Sequence, residues 1–163
     1  LSQELKVPVK KIKSFVLGGH GDSMVAMLGS TDVNGKKIHD LVKEGVIKKE
    51  KLEEIVDRTK KGGAEIVKYL EKGSAYYAPA ASGVEMAECY LKDLKKQLPC
   101  AVYLNGEYGF KDIYAGVPVI LGENGVEKII ELELDKEEKI NFDKSIKSVQ
   151  ELFDAAKKID PSL

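Results

Sequence analysis

A single histidine stands inside the run Gly18-Gly19-His20-Gly21-Asp22, directly after the apolar stretch Ile12–Leu17. An imidazole has an ordinary pKa of about 6.5, so it can take up and return a proton near neutral pH. The glycines around it free the backbone to aim the ring into a cleft and let another group come close. The same surroundings suit a structural loop histidine that caps backbone groups, and spacing alone leaves both readings open. A proton carrier also wants a carboxylate on its far ring nitrogen to fix the tautomer. Asp22 lies two residues away and is better placed for loop amides than for that nitrogen. Ser23 beside His20 suggests a nucleophile with its base, but the G-x-S-x-G elbow is absent and no oxyanion element is readable.

The remaining reactive side chains read more plainly. His39 precedes Asp40 near an expected helix start, a capping or surface position. Cys89 within a helix and Cys100 at the head of a strand read as buried, inert thiols. Arg58 is the one arginine among 26 basic residues. Any chemistry that needs a planar fork on a carboxylate has that one candidate or must borrow another. Its place off the apolar stripe of a helix fits a salt bridge or subunit contact, with a substrate clamp as the weaker alternative.

The elements that would position these groups can be read in chain order. Residues 1–6 read as the end of a helix stopped by Val7-Pro8. Ile12–Leu17 reads as a strand entering the glycine-rich break. Val33-Asn34-Gly35-Lys36 carries the dipeptide that favours a type I′ hairpin, with Ile38 expected on the return strand. Leu52, Ile55, Val56, Ile66, Val67 and Leu70 keep helical spacing, so one helix is expected from Lys49 to Leu70. Gly62-Gly63 inside it costs about 0.5–1 kcal/mol per residue relative to alanine, so close packing against another backbone is expected there.

A second helix is expected from about Pro79 to Gln97, with Val84, Ala87, Leu91, Leu94 and Leu98 inward. Its first turns are small residues that leave room for something to lie against them. Cys100–Leu104, Asp112–Leu121 and Val126–Leu134 read as an antiparallel meander with turns at 106–109 and 122–125. Asp135 with Glu138 forms a capping-box pattern before a last helix to about Lys158. Ile146, Val149, Leu152, Phe153 and Ala156 are expected on its inner face. This order makes the fold class α+β, antiparallel strands and meander packed with long helices. The regular βαβ alternation, G-x-G-x-x-G and the P-loop pattern are absent from these residues.

Composition narrows the function classes. The chain has 163 residues, 43% of them hydrophobic, one domain's worth with enough apolar material for a core. Basic residues number 26 and acidic 27, a balance that argues against nucleic acid as a partner. No apolar run approaches the roughly 20 residues of a membrane span. Two histidines argue against a His-rich metal cluster, and no metal is expected. Two cysteines fit a reducing compartment, and a cytoplasmic location is expected. The first residues carry no signal-peptide pattern and read as a helix entered in mid-stride, so the chain is expected to be part of a longer one.

Three segments then carry a resemblance. Val16-Leu17-Gly18-Gly19-His20-Gly21-Asp22-Ser23-Met24-Val25 closely resembles the active-site segment of the lactate/malate dehydrogenase family. Arg58-Thr59-Lys60-Lys61-Gly62-Gly63-Ala64-Glu65-Ile66-Val67 and Lys72-Gly73-Ser74-Ala75-Tyr76-Tyr77-Ala78-Pro79-Ala80-Ala81-Ser82 match further family motifs in the same order. Gly116-Val117-Pro118 and Gly122-Glu123-Asn124-Gly125-Val126 extend the match. Essentially the whole chain is covered, and it corresponds to the family's C-terminal, substrate-binding half. The stretch from Ser74 to Ser82 is similar to the lactate-dehydrogenase-like group of bacterial malate dehydrogenases.

The resemblance implies a domain spanning 1–163, with the NAD-binding N-terminal Rossmann domain outside this sequence. It implies that His20 is the catalytic proton acceptor and donor between malate and oxaloacetate. Gly19, Ser74 and Ala75 match positions bordering the substrate, and Pro79 a position near the nicotinamide of the NAD cofactor. Lactate-specific members often carry threonine where Ala75 stands, so Ala75 favours malate. Gly62-Gly63 matches a family glycine pair. Ala26 stands where many relatives have proline, a departure expected to be tolerated. The family's aspartate that orients the histidine and its arginine that clamps the substrate carboxylate belong to a motif upstream of Leu1. The chain alone is therefore expected to be inactive, and to act within a homo-oligomer, dimer or tetramer. The alternatives are the same half of a lactate dehydrogenase, a non-enzymatic interaction module of this fold, and a hydrolase using His20 and Ser23.

Overall fold

The computed structural model describes residues 1–162; Leu163, the last residue of the expected domain, lies outside them. A short helix α1 (Ser2–Leu5) is followed by five two-residue strands, β1 (Ile12–Lys13), β2 (Val16–Leu17), β3 (Val25–Ala26), β4 (Asp32–Val33) and β5 (Lys36–Lys37). The expected strand Ile12–Leu17 is divided in two, because its halves pair with different partners. β1 joins β4 and β5 in one antiparallel sheet, whereas β2 pairs with β3. Asn34 and Gly35 both take positive φ, 52° and 87°, as a type I′ turn requires. Ile38 does not lie on the return strand. It opens α2 (Ile38–Lys43), where Ile38 and Leu41 are buried together with Val33, Ile47 and Leu52. That small core outweighs the pull of the hairpin one residue earlier.

The expected helix from Lys49 to Leu70 is two helices, α3 (Lys49–Lys60) and α4 (Gly62–Leu70), broken at Lys61. Gly62-Gly63 follows the break directly and weakens the helix where it turns. A Cβ added at either glycine would meet nothing within 4 Å among the described residues, so the expected close packing is not made inside this chain. Next comes α5 (Tyr77–Leu91), shorter than expected. Asp93 and Lys95, both at positive φ, turn the chain before Gln97 can join the helix. Its expected inner face is largely open: Val84 is 68% and Leu91 79% exposed, and only Cys89 is buried.

The expected three-strand meander is found, but its first strand begins at Lys96 rather than Cys100 and takes Gln97 and Leu98 from the expected helix. β6 (Lys96–Asn105), β7 (Lys111–Gly122) and β8 (Gly125–Ile129) pair antiparallel in that order. Alternation sends Cys100, Val102 and Leu104 inward and Ala101 and Tyr103 outward. β8 ends earlier than expected; beyond it the Ile130 N–H still donates to the Pro118 carbonyl oxygen at 2.8 Å, and Leu132 and Leu134 pack on the core. α6 (Lys136–Ile159) opens with the expected capping box of Asp135 and Glu138. Phe142 and Ile146 are buried and Val149 packs against them, but Leu152 is 72% exposed and Phe153 also faces solvent. The helix outruns the surface it packs on. Its buried stripe, the inner face of β6–β7 and the β2–β3 hairpin share one core. Both thiols, Cys89 and Cys100, are buried.

Candidate active site

His20 lies on the loop between β2 and β3, just before a 3-10 turn at Gly21–Ser23. Its backbone is extended, φ −94° and ψ 151°, and the residue is exposed. The chain leading to it is fixed on two sides. Gly18 and Gly116 exchange both backbone hydrogen bonds, each 2.9 Å, which ties the loop to the middle of β7. Gly18 takes φ 92°, and a Cβ built on Gly116 would lie 2.9 Å from the Gly18 carbonyl oxygen. Gly116 is therefore required by the close approach of two backbones, and Gly18 by its positive φ. On the other side the Gly19 N–H donates to Ser145 Oγ of α6 at 2.8 Å. A Cβ on Gly18 would collide with that same serine side chain.

The alternatives for this loop separate on geometry. Ser23 Oγ donates to the His20 carbonyl oxygen at 3.5 Å, so it addresses the backbone and not the ring. This leaves the serine hydrolase reading without its nucleophile–base contact. The His20 side chain makes no capping hydrogen bond to the turn that follows it, as a purely structural loop histidine would. Asp22 is exposed and forms no hydrogen bond with the ring among the described residues. The 3-10 turn packs on α3 and on α6. Lys61, at the α3–α4 break, is held by Asp57 at 2.9 Å; the hydrogen bond and charge of Asp57 raise its pKa, with a smaller contribution from Asp22.

The other expected site residues sit at the junction of α4 and α5. Ser74 is exposed, Ala75 half-buried and Pro79 exposed in the first turn of α5. Proline is tolerated there because the first N–H groups of a helix have no intrahelical partner. Ala78, Ala80, Ala81, Ser82 and Gly83 around it are also exposed, leaving a shallow surface of small side chains. No hydrogen bond among the described residues joins His20 to Ser74, Ala75 or Pro79. The Tyr76 and Tyr77 rings stack at 4.8 Å beside them.

Arg58 is engaged in a salt bridge. Its Nε and terminal nitrogen donate to both Glu65 oxygens, at 2.9 and 2.7 Å, across the α3–α4 break. The hydrogen bond from Arg58 holds the Glu65 carboxyl below its ordinary value. The pair borders an open groove of about 490 Å³ between the N-terminal residues and α3–α4, which does not include His20. Among the described residues no group of three or more His, Cys, Asp or Glu could hold a metal ion, and no helix is long and apolar enough to cross a membrane.

Sequence reasoning did not connect Ser145 or Gly116 with the His20 loop. Ser145 is a polar residue on the stripe Phe142, Ile146 and Val149, and a lone hydroxyl in an apolar helical stripe is the signal that could have found it. Gly116 sits in a long apolar strand, where an interior glycine marks close backbone approach.

A hairpin loop presenting an exposed histidine, braced by a meander and by the last helix, defines an α+β domain. Residues 1–159 match the family model described as lactate/malate dehydrogenase, alpha/beta C-terminal domain. The chain belongs to this family. It is 65% identical over its whole length to the malate dehydrogenase of Pelagibacter ubique (strain HTCC1062), spanning 51% of that protein. Among solved structures, malate dehydrogenase from Cryptosporidium parvum superposes with a TM-score of 0.93 at 42% identity, over 96% of this chain and 50% of that one. Lactate dehydrogenase from Eimeria maxima, solved with NADH and oxamate, gives 0.94 at 41% identity, over 98% of this chain and 50% of that one. The chain thus spans about half the length of the relatives it matches.

Proposed function

We propose that this chain is the substrate-binding and proton-transferring half of an NAD-dependent malate dehydrogenase that interconverts malate and oxaloacetate. The observation that carries the reading is an exposed imidazole on a loop whose backbone is held from two directions. Such a group can be reached by a ligand while its entry direction stays fixed. Bound NAD would supply the acceptor for the hydride that leaves C2 of malate. His20 accepts the hydroxyl proton as the carbonyl forms, and its protonated ring returns a proton to the ketone oxygen in the reverse direction. Gly19, Ser74 and Ala75 border the substrate, and Pro79 lies toward the nicotinamide. The small exposed residues at the start of α5 fit a flat ring laid against them. An N-terminal Rossmann domain of the same protein supplies the main NAD site, the carboxylate clamp and the partner that orients His20. The open faces of α4 and α5 suit subunit and domain contacts in a homo-oligomer, dimer or tetramer. The two free thiols fit a cytoplasmic setting.

The likeness to a lactate dehydrogenase solved with NADH and oxamate supports a second reading, with lactate and pyruvate as the pair. Full-length enzyme assayed with oxaloacetate and with pyruvate separates the two, and faster turnover of pyruvate overturns the malate assignment. His20→Ala in the full-length protein should lower turnover about 10²–10⁴-fold with little change in NAD affinity. Equal losses in both would assign His20 a structural role. The 163-residue chain alone should show no oxaloacetate-dependent NADH oxidation.

A further inference from the structure

We propose that Ser145 is a positioning residue for His20, acting through the Gly19 amide; this rests on the reading of His20 as the proton carrier. The two bonds that hold the chain just before His20 fall on one peptide group. The Gly18 carbonyl oxygen accepts from the Gly116 N–H at 2.9 Å, and the Gly19 N–H of the same planar unit donates to Ser145 Oγ at 2.8 Å. A peptide plane gripped at both polar ends cannot rotate without breaking one of them. That plane sets the direction from which the chain enters Gly19 and then His20. Glycine on both sides would otherwise let the ring sweep a wide range of orientations. β7 and α6 remove this freedom together.

Ser145 is spent on this contact. It is 2% exposed on a stripe that is otherwise apolar, and its hydroxyl makes the one hydrogen bond that justifies a polar atom there. The bond spans 126 residues of sequence, so no local turn chemistry accounts for it. The same helix has a second and separate grip on the hairpin. Glu138 Oε1 accepts from the Gly29 N–H at 2.8 Å, beyond β3 and away from His20. That bond fastens α6 without touching the histidine's peptide, which makes it the natural control.

The test compares Ser145→Ala, Ser145→Cys, Glu138→Ala and His20→Ala in the full-length enzyme, reading kcat, the KM for NAD and thermal midpoint. Ser145→Ala keeps Cβ and removes the acceptor. Its kcat should fall about tenfold or more, with the KM for NAD unchanged within about twofold. Ser145→Cys, of similar size with a weak acceptor, should fall between parent and Ser145→Ala. Glu138→Ala should lower the thermal midpoint and leave kcat per folded molecule near the parent value. Parent-like kcat in Ser145→Ala or, if that variant does not fold, in Ser145→Cys overturns the inference. So does a Ser145→Ala profile matching that of Glu138→Ala, since both would then act on stability alone. Unimpaired turnover in His20→Ala instead overturns the proton-carrier reading beneath it.

Discussion

The β2–β3 hairpin, the meander and α6 form one region of the molecule; α4 and α5 form a very different one. In the first, Leu17, Val117, Val119 and Phe142 are each at or below 1% exposure. In the second, Cys89 is the only buried residue of two helices, while Tyr69, Tyr77 and Leu91 each exceed 75% exposure. Yet α4 has the apolar pattern of a helix that packs. The difference separates what this chain can fix by itself from what it cannot. His20 belongs to the packed region; Ser74, Ala75 and Pro79 border the region whose apolar faces are exposed. The His20 loop is thus set by intrachain packing, whereas the surface around Ser74, Ala75 and Pro79 is not.

Four experiments can break or sharpen that contrast. Phe142→Ala should lower stability by about 3–5 kcal/mol in chemical denaturation, because the ring fills the centre of the larger core. A loss below about 1 kcal/mol would mean that this region is not the rigid one. Gly116→Ala places a Cβ 2.9 Å from the Gly18 oxygen. It should cost about 1–3 kcal/mol and reduce turnover, coupling the sheet to His20 through one backbone contact. Leu91→Ala should change the stability of the isolated chain by under about 0.5 kcal/mol. In the full-length protein the same change should cost about 2 kcal/mol or more if a partner surface covers α5; equal small effects in both would leave that face uncovered.

The smallest effect is electrostatic. Arg58 holds the Glu65 carboxyl below its ordinary value by a hydrogen bond, so the folded state binds that proton less readily than the unfolded one. The pair's contribution is complete above the unfolded carboxyl's pKa of about 4.3 and is lost as pH falls through the lower folded value. The denaturation midpoints of parent and Glu65→Gln should therefore differ at pH 7 and converge in acid. A difference that persists at pH 2–3, on the order of its neutral value, would show that packing and not charge joins α3 to α4.

What was legible in the sequence was local. The Asn34-Gly35 turn and the Asp135–Glu138 cap depend on residues a few positions apart and formed as read, and the order and antiparallel pairing of β6–β8 followed from their short connecting turns, although β6 starts earlier and β8 ends earlier than expected. Ile38, the break at Lys61 and the early end of α5 were misread, because distant packing or turn residues overrode a periodic pattern. The loop glycines pointed to His20, while its two braces left only faint marks, a glycine inside a strand and a hydroxyl on an apolar helical stripe. Gly116 and Ser145 reach it from a strand and a helix far along the chain, and only the tertiary contact shows which interior glycine and which helical hydroxyl do so.

The paired amides of Gly18 and Gly116 give the loop a clock. Each N–H is locked into the other's carbonyl against the middle strand of the meander. Neither can meet solvent deuterium until that strand itself opens, so both should exchange at the slow, shared rate of the sheet while neighbouring loop amides exchange fast. A segment that looks like a surface loop therefore keeps time with the interior.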